Sequence, residues 1–293
     1  MIGEILTAIV TPFKADGSVD LARFRELASY LVENGSDGLV VTGTTGESPT
    51  LSDDERFALY EAAVDEVGER AAVVAGTGTY STDHSIHLTR RAHEIGVDGF
   101  LVVTPYYNKP PVRGVVRHFQ AIASATDRSI IAYNIPGRVV LNLETEAIAQ
   151  LAEIPNVKAV KQANPDLAQA RAIVELGLDL YAGDDDLVLP FLELGGRGGM
   201  CVHTHIVGPQ VRELVRRYRA GDVEGARELD RALGPSIELL RIVVNPIAIK
   251  CALNLLGHEV GGCRLPLVEA TADEREAVRD CLERLGLLQP AAV

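Results

Sequence analysis

Two periodicities alternate along most of the chain, and that alternation restricts its fold more than any other feature. Short β-rich runs recur: ILTAIVTPF, DGLVVTG, AAVVAGTG, GFLVVTPYY, SIIAYNIP, NVKAVKQA, DLYAGDD and GGMCVHT. Between them lie stretches of helical period such as LARFRELASYLVENG and STDHSIHLTRRAHEIG, the second carrying Ile86, Leu88, Ala92 and Ile95 on one apolar stripe. The helices open after small polar residues and close at glycine, as capping requires: Asp20 to Gly35, Ser52 to Gly68, Ser81 to Gly96. Roughly eight strand–helix units without a long linker predict an α/β fold, a (β/α)8 TIM barrel rather than an open doubly wound sheet.

From about Pro209 only helical periodicity remains, and Gly234-Pro235 is expected to break it. The expected organisation is a barrel with the active site over residues 1–220 and a C-terminal helical region packed on it over 221–293. A chain of 293 residues, 47% hydrophobic, can bury a large core. Its formal net charge of −13 disfavours nucleic acid and anionic membranes, which reward clustered Lys and Arg. The apolar runs are too short to span a bilayer and Met1 leads straight into a strand-like segment, so a cytoplasmic location is expected. The four cysteines show no CxxC spacing and read as reduced thiols.

One stretch does not fit a purely structural strand. In NVKAVKQAN a buried-looking alternation carries Lys161 at its end, although the chain has only five lysines. The period of two places Val157, Ala159 and Lys161 on one face, with Lys158, Val160 and Gln162 on the other. If this is strand six, Lys161 stands at the carboxyl end, where barrel enzymes keep their chemistry. Desolvation there favours a neutral amine, a nucleophile; pairing with a carboxylate is the bland alternative. Gly43-Thr44-Thr45-Gly46-Glu47 ends strand two, with hydroxyls and amides able to hold a small carboxylate. Tyr133 ends strand five, beside Lys161 on the next strand, and can pass protons. Arg138 lies just beyond and can receive a carboxylate bidentately. Tyr106 and Tyr107 end strand four, where packing or an interface is the ordinary role.

These blocks, GTTGES, PYYNKP, YNIPGR with the lysine strand after it, AGDDD, NPIAIK and RLP at Arg264–Pro266, resemble the pyruvate-dependent class I aldolases, the family of dihydrodipicolinate synthase and N-acetylneuraminate lyase. The resemblance covers nearly the whole chain. It implies a barrel with C-terminal helices and a homotetramer built as a dimer of dimers. It also implies that Lys161 forms a Schiff base with pyruvate and that Thr45 holds the pyruvate carboxylate. Tyr133, Thr44 and Tyr107 then form a proton relay, Tyr107 coming from a neighbouring subunit. Arg138 matches the residue that receives the carboxylate of aspartate semialdehyde, while Gly183 and the region of Met200 match backbone positions bordering the pocket. No cofactor or metal is implied, because the protonated imine is the electron sink.

Within the family, Arg138 favours condensation of pyruvate with L-aspartate 4-semialdehyde to 4-hydroxy-tetrahydrodipicolinate, a step of lysine and diaminopimelate biosynthesis. The alternatives are a lyase acting on a sugar acid or another 2-oxo acid, and a non-catalytic ligand-binding barrel. Gln162, Asn164, Val139-Val140 and MCVHTH depart from the usual synthase pattern and bear on the second substrate. Cys201, His203 and His205 share one strand face on this reading, a spacing that converges poorly on one ion. Asp184 to Asp186 are expected to cap the helix after strand seven. Lysine-sensitive members use a cleft that corresponds to Pro49, Asp53, Arg56, Tyr80, His84 and Tyr106 here. The residues at Asp53, Arg56, Tyr80 and His84 differ from theirs, so lysine inhibition is expected to be weak or absent.

Overall fold

The computed structural model describes residues 2–289. Eight strands close into a parallel barrel in chain order: β1 Ile5–Ala8, β2 Gly38–Val41, β3 Ala72–Gly76, β4 Gly99–Val103, β5 Ser129–Asn134, β6 Val157–Gln162, β7 Asp179–Ala182 and β8 Gly198–Cys201. A parallel strand cannot turn straight back to its neighbour, so each must be followed by a crossover, and here the crossovers are helical. Those helices begin where the sequence supplies caps. Asp20 accepts from the Arg23 amide, Ser81 from the His84 amide, and Ser52 forms a reciprocal capping box with Glu55.

The strands face two ways and so feed two cores. Leu6, Val40, Val74, Leu101, Ile131 and Met200 fill the barrel interior. The alternate residues, such as Leu39, Val73, Phe100 and Val160, pack outward against the helices. The expected face assignment in β6 needs one correction. Val157 belongs to the outer core, whereas Ala159 lies inside. The register between β5 and β6 slips between Ile130 and Ile131, which pair with Val157 and Ala159; Lys158 is the extra, exposed residue. A one-residue bulge reverses the facing of everything before it, which a strict period of two cannot register.

After the eighth crossover helix, Thr204–Arg219, come helices Val223–Ala232, Gly234–Ile242, Ile247–Leu255 and Ala272–Arg284. Gly234-Pro235 divides the first two of these, with Pro235 in the opening turn where its missing N–H costs nothing. Among the described residues, no helix is long and apolar enough to cross a membrane.

Burial also sets an acid limit on the fold. His118, on the helix Val112–Ala123, is 4% exposed. Desolvation pushes its imidazole down to about 4 from an ordinary 6.5. The folded chain therefore keeps His118 neutral while the unfolded chain protonates it, so stability falls as pH drops from 6.5 through 4. The loss reaches about 3 kcal/mol. At lower pH a second loss follows, because the Arg264 guanidinium holds Glu55 down to about 2. Urea unfolding midpoints measured between pH 7.5 and 4.5 should fall with acid, and His118→Gln should flatten that slope by one proton. An unchanged slope in the variant would remove His118 as the cause.

Candidate active site

At the carboxyl ends of the strands a cavity of 390 Å³ opens. Thr44, Thr45, Tyr133, Arg138, Lys161 and Gly183 all line it. Lys161 pairs in register with Tyr133 across β5 and β6 and is 4% exposed. Its Nζ sits 4.5 Å from the centroid of the Tyr133 ring. Among the described residues no carboxylate forms an ion pair with Lys161, so the bland expectation of a paired lysine does not hold. The amine instead stands over an aromatic face and is open to the cavity.

The threonine turn after β2 is fixed from far away in sequence. Asn245 Nδ2 donates to Thr45 Oγ1 at 2.9 Å, which leaves the Thr45 hydroxyl proton to be donated elsewhere. Glu47, two residues on, has a φ of 55°, a left-handed conformation unusual for a residue with a side chain. A buried ion pair holds it: Lys250 Nζ lies 2.9 Å from Glu47 Oε1, with the two side chains 2% and 0% exposed. Oε2 accepts the Arg264 amide, and Lys250 also donates to the Gly262 carbonyl and faces the Phe13 ring. Burial pushes the Lys250 ammonium below its ordinary value, and Glu47 opposes that shift. The C-terminal helices thus do more than pack on the barrel. Through Asn245, Lys250, Ile237, Leu240 and Arg241 they position or wall the site.

Arg138 lies in a short helical turn, Pro136–Val139, and is exposed at the cavity rim. A network of buried amides positions the segment around it. Asn134 Nδ2 donates to Asn142 at 2.9 Å and to Gln162 at 3.0 Å; Gln162 Nε2 donates to Gln169 at 2.6 Å and to Asn164 at 2.8 Å. Gln162 and Asn164, the departures that bore on the second substrate, are spent in this network outside the cavity. Gly183 lets β7 approach the end of β6 closely, since a Cβ there would come within 2.7 Å of the Ala163 Cβ.

One expected residue lies elsewhere. Met200 is fully buried in the barrel interior and does not line the cavity; Val202, past the strand end, does. Tyr107 is 92% exposed with a φ of 70°, and is not at this chain's own cavity. The trio on strand eight also needs correction, because β8 ends at Cys201 and its neighbours turn into a helix. His205 donates from Nδ1 to the Val202 carbonyl and accepts the Val10 amide at Nε2, so both its nitrogens are used. The acidic triplet is corrected too. Asp184 occupies the N-cap position of the turn after β7 without a side-chain capping bond, while Asp185 accepts the Val202 and His203 amides, each at 2.7 Å, just ahead of the helix after β8. Asp186 pairs with Arg241 at 2.6 Å. Burial, and then Asp185 and Asp186, raise Asp184 above the ordinary carboxylate value.

A buried lysine on strand six beside a strand-five tyrosine, facing a threonine turn and an arginine, occurs here within a chain whose residues 1–285 match the Dihydrodipicolinate synthetase family. The chain belongs to that family. It is 51% identical over 289 residues to the 4-hydroxy-tetrahydrodipicolinate synthase of Moorella thermoacetica, covering 98% of this chain and 99% of that one. The dihydrodipicolinate synthase of Cyanidioschyzon merolae, solved with lysine bound, superposes with a TM-score of 0.96 at 41% identity, over 98% and 99% of the two chains. The chloride-inhibited enzyme of Acinetobacter baumannii, solved with pyruvate, gives a TM-score of 0.95 at 35% identity, over 98% and 100%. Among the family blocks, Asn245 and Lys250 of NPIAIK are the functional residues that the reading of single strands passed over. Their signal was a lysine and an amide in an otherwise apolar helix start.

Proposed function

We propose that this chain condenses pyruvate with L-aspartate 4-semialdehyde to 4-hydroxy-tetrahydrodipicolinate, without cofactor, through an imine on Lys161. The observation that carries the reading is the buried, ion-pair-free Lys161 amine 4.5 Å from the Tyr133 ring in a cavity that also holds two threonines and an arginine. Family membership and the synthase name of a 51% identical relative support the substrates.

In this mechanism Lys161 Nζ attacks C2 of pyruvate, whose carboxylate accepts from the Thr45 hydroxyl. Tyr133 protonates the departing hydroxyl of the carbinolamine, and water leaves as the imine forms. The iminium acidifies the adjacent methyl group; loss of a proton gives an enamine, which attacks the aldehyde. Arg138 pairs with the carboxylate of the incoming aldehyde acid and so orients it. The amino group of that substrate then displaces Lys161 and closes the ring. Thr44 and the Tyr107 of a neighbouring copy complete the proton relay, which requires at least a dimer; we assign a homotetramer of two such dimers, in the cytoplasm. The exposure of Tyr107 on the single chain agrees with its serving another copy's site.

The test is an assay of both directions of family chemistry. Pyruvate and aspartate semialdehyde together should yield the cyclic product, with no pyruvate released from sugar acids. Rapid cleavage of a sugar acid without condensation would overturn the assignment. Lysine should inhibit weakly, because Asp53 already accepts from His84 at 2.8 Å and the buried Arg56, a cation where lysine would bring another, donates to the Ser48 carbonyl. Half-inhibition at submillimolar lysine would contradict this.

A further inference from the structure

Outside the barrel wall, between the turn after β7 and the end of β8, three side chains of different chemistry converge. A carboxylate oxygen of Asp185, Sγ of Cys201 and a ring nitrogen of His203 lie within 4.8 Å of one another. Cys201 is 1% exposed, and the His203 and Asp185 side chains are 3% and 8% exposed.

The hydrogen bonds around His203 fix which nitrogen carries its proton. The Ser236 hydroxyl donates to the Leu233 carbonyl at 2.7 Å, so toward His203 Nδ1, 3.1 Å away, its oxygen can only accept. Nδ1 therefore holds the hydrogen, and Nε2 presents a lone pair. That Nε2 is buried and has no hydrogen-bond partner, and it faces Asp185 Oδ1 at 3.6 Å. The Nε2 lone pair is buried without a donor, and a positive centre beside it would satisfy it; Asp185 Oδ1 already accepts the Val202 and His203 amides, so the carboxylate offers that centre its charge and its second oxygen. An imidazole that donates its other nitrogen to an oxygen is also the arrangement metal-binding histidines adopt.

We propose that Asp185, Cys201 and His203 bind one zinc-class divalent ion, with a solvent molecule as fourth ligand. Imidazole, thiolate and carboxylate are a donor set that zinc accepts, and the thiol selects against magnesium and calcium. The ligand atoms must close by about 1 Å to reach bonding distances. Binding exchanges the Cys201 S–H bond for a sulfur–metal bond and releases that proton to solvent. Asp185 is held for the task by the two backbone amides it already accepts. Access is through a 300 Å³ cavity lined by Asp185, His203, Asp186, Asp230, Glu238 and Arg241, whose four carboxylates outweigh the one guanidinium. The bound ion ties the turn after β7 to the start of the helix after β8. The ion site does not rest on the condensation proposed above, although Asp185 and Arg241 also line the cavity of Lys161.

The chelator-treated full chain should be titrated with zinc chloride by calorimetry and with cobalt chloride by absorption. The expected results are one equivalent bound per chain, a thiolate-to-cobalt charge-transfer band in the near ultraviolet, and a higher melting temperature with zinc. Cys201→Ser should abolish the band, and His203→Ala should weaken zinc binding by about 100-fold or more. No saturable equivalent, or several equivalents without the thiolate band, would overturn the site. So would an unaltered titration in both variants. The wild-type cobalt spectrum decides alone should either variant fail to fold.

Discussion

Lys161→Ala is expected to lower kcat for condensation by about 10⁴-fold or more, while leaving the melting temperature nearly unchanged. The two halves of that expectation have separate physical sources. Without the amine no imine forms, and the methyl protons of bound pyruvate keep their ordinary acidity. The remaining threonines and tyrosine can still bind and orient, but they have no electron sink to work with. Stability should survive because Lys161 makes no ion pair among the described residues, its close contact being the Tyr133 ring, and because Asp184, the carboxylate it favours, is already raised by burial and can take up a proton. Lys161→Arg should be equally inactive, since a guanidinium stays protonated and cannot add to a carbonyl. Steady-state kinetics together with thermal melting test both halves. A Lys161→Ala enzyme retaining more than a tenth of wild-type turnover would contradict the mechanism.

The second large effect belongs to a residue that touches no substrate. Lys250→Met should destabilise the protein by about 3–5 kcal/mol, because it leaves the Glu47 carboxylate buried without its cation. Glu47 is 1% exposed, and after the substitution it keeps the Arg264 amide at Oε2 but loses the ammonium at Oε1. Since Glu47 closes the turn that begins at Thr44 and holds a left-handed φ of 55°, the same change should raise KM for pyruvate. The double variant Glu47→Gln with Lys250→Met should recover most of the lost stability, as no charge then remains buried. Urea unfolding of the single and double variants measures this. If the single variant unfolds at the wild-type midpoint, the ion pair does not hold the turn.

The contrast between these two lysines shows what a sequence can and cannot carry. Lys161 was legible because its neighbourhood is local: β5 and β6 are consecutive parallel strands, so a tyrosine and a lysine at their ends must be adjacent. The barrel was legible for the same reason, through period, capping residues and an even spacing of units. Lys250 was not, because its partner stands more than 200 positions away and meets it only when the last helices fold back over the barrel mouth. Asn245 meets Thr45 across a similar separation. The bulge at Lys158 and the bonds from the amides ahead of the helix after β8 to Asp185 share that origin. Each depends on how neighbouring strands are staggered, which a residue pattern along one strand does not encode.

The central claim is that one amine at the end of β6 becomes covalently joined to a 2-oxo acid. Borohydride reduction of the protein mixed with pyruvate, followed by peptide mass mapping, tests it most directly. The account predicts a gain of about 72 Da, one reduced pyruvate imine per chain, confined to the peptide containing Lys161. An unmodified mass, or a label on Lys158 or Lys250 instead, would contradict it.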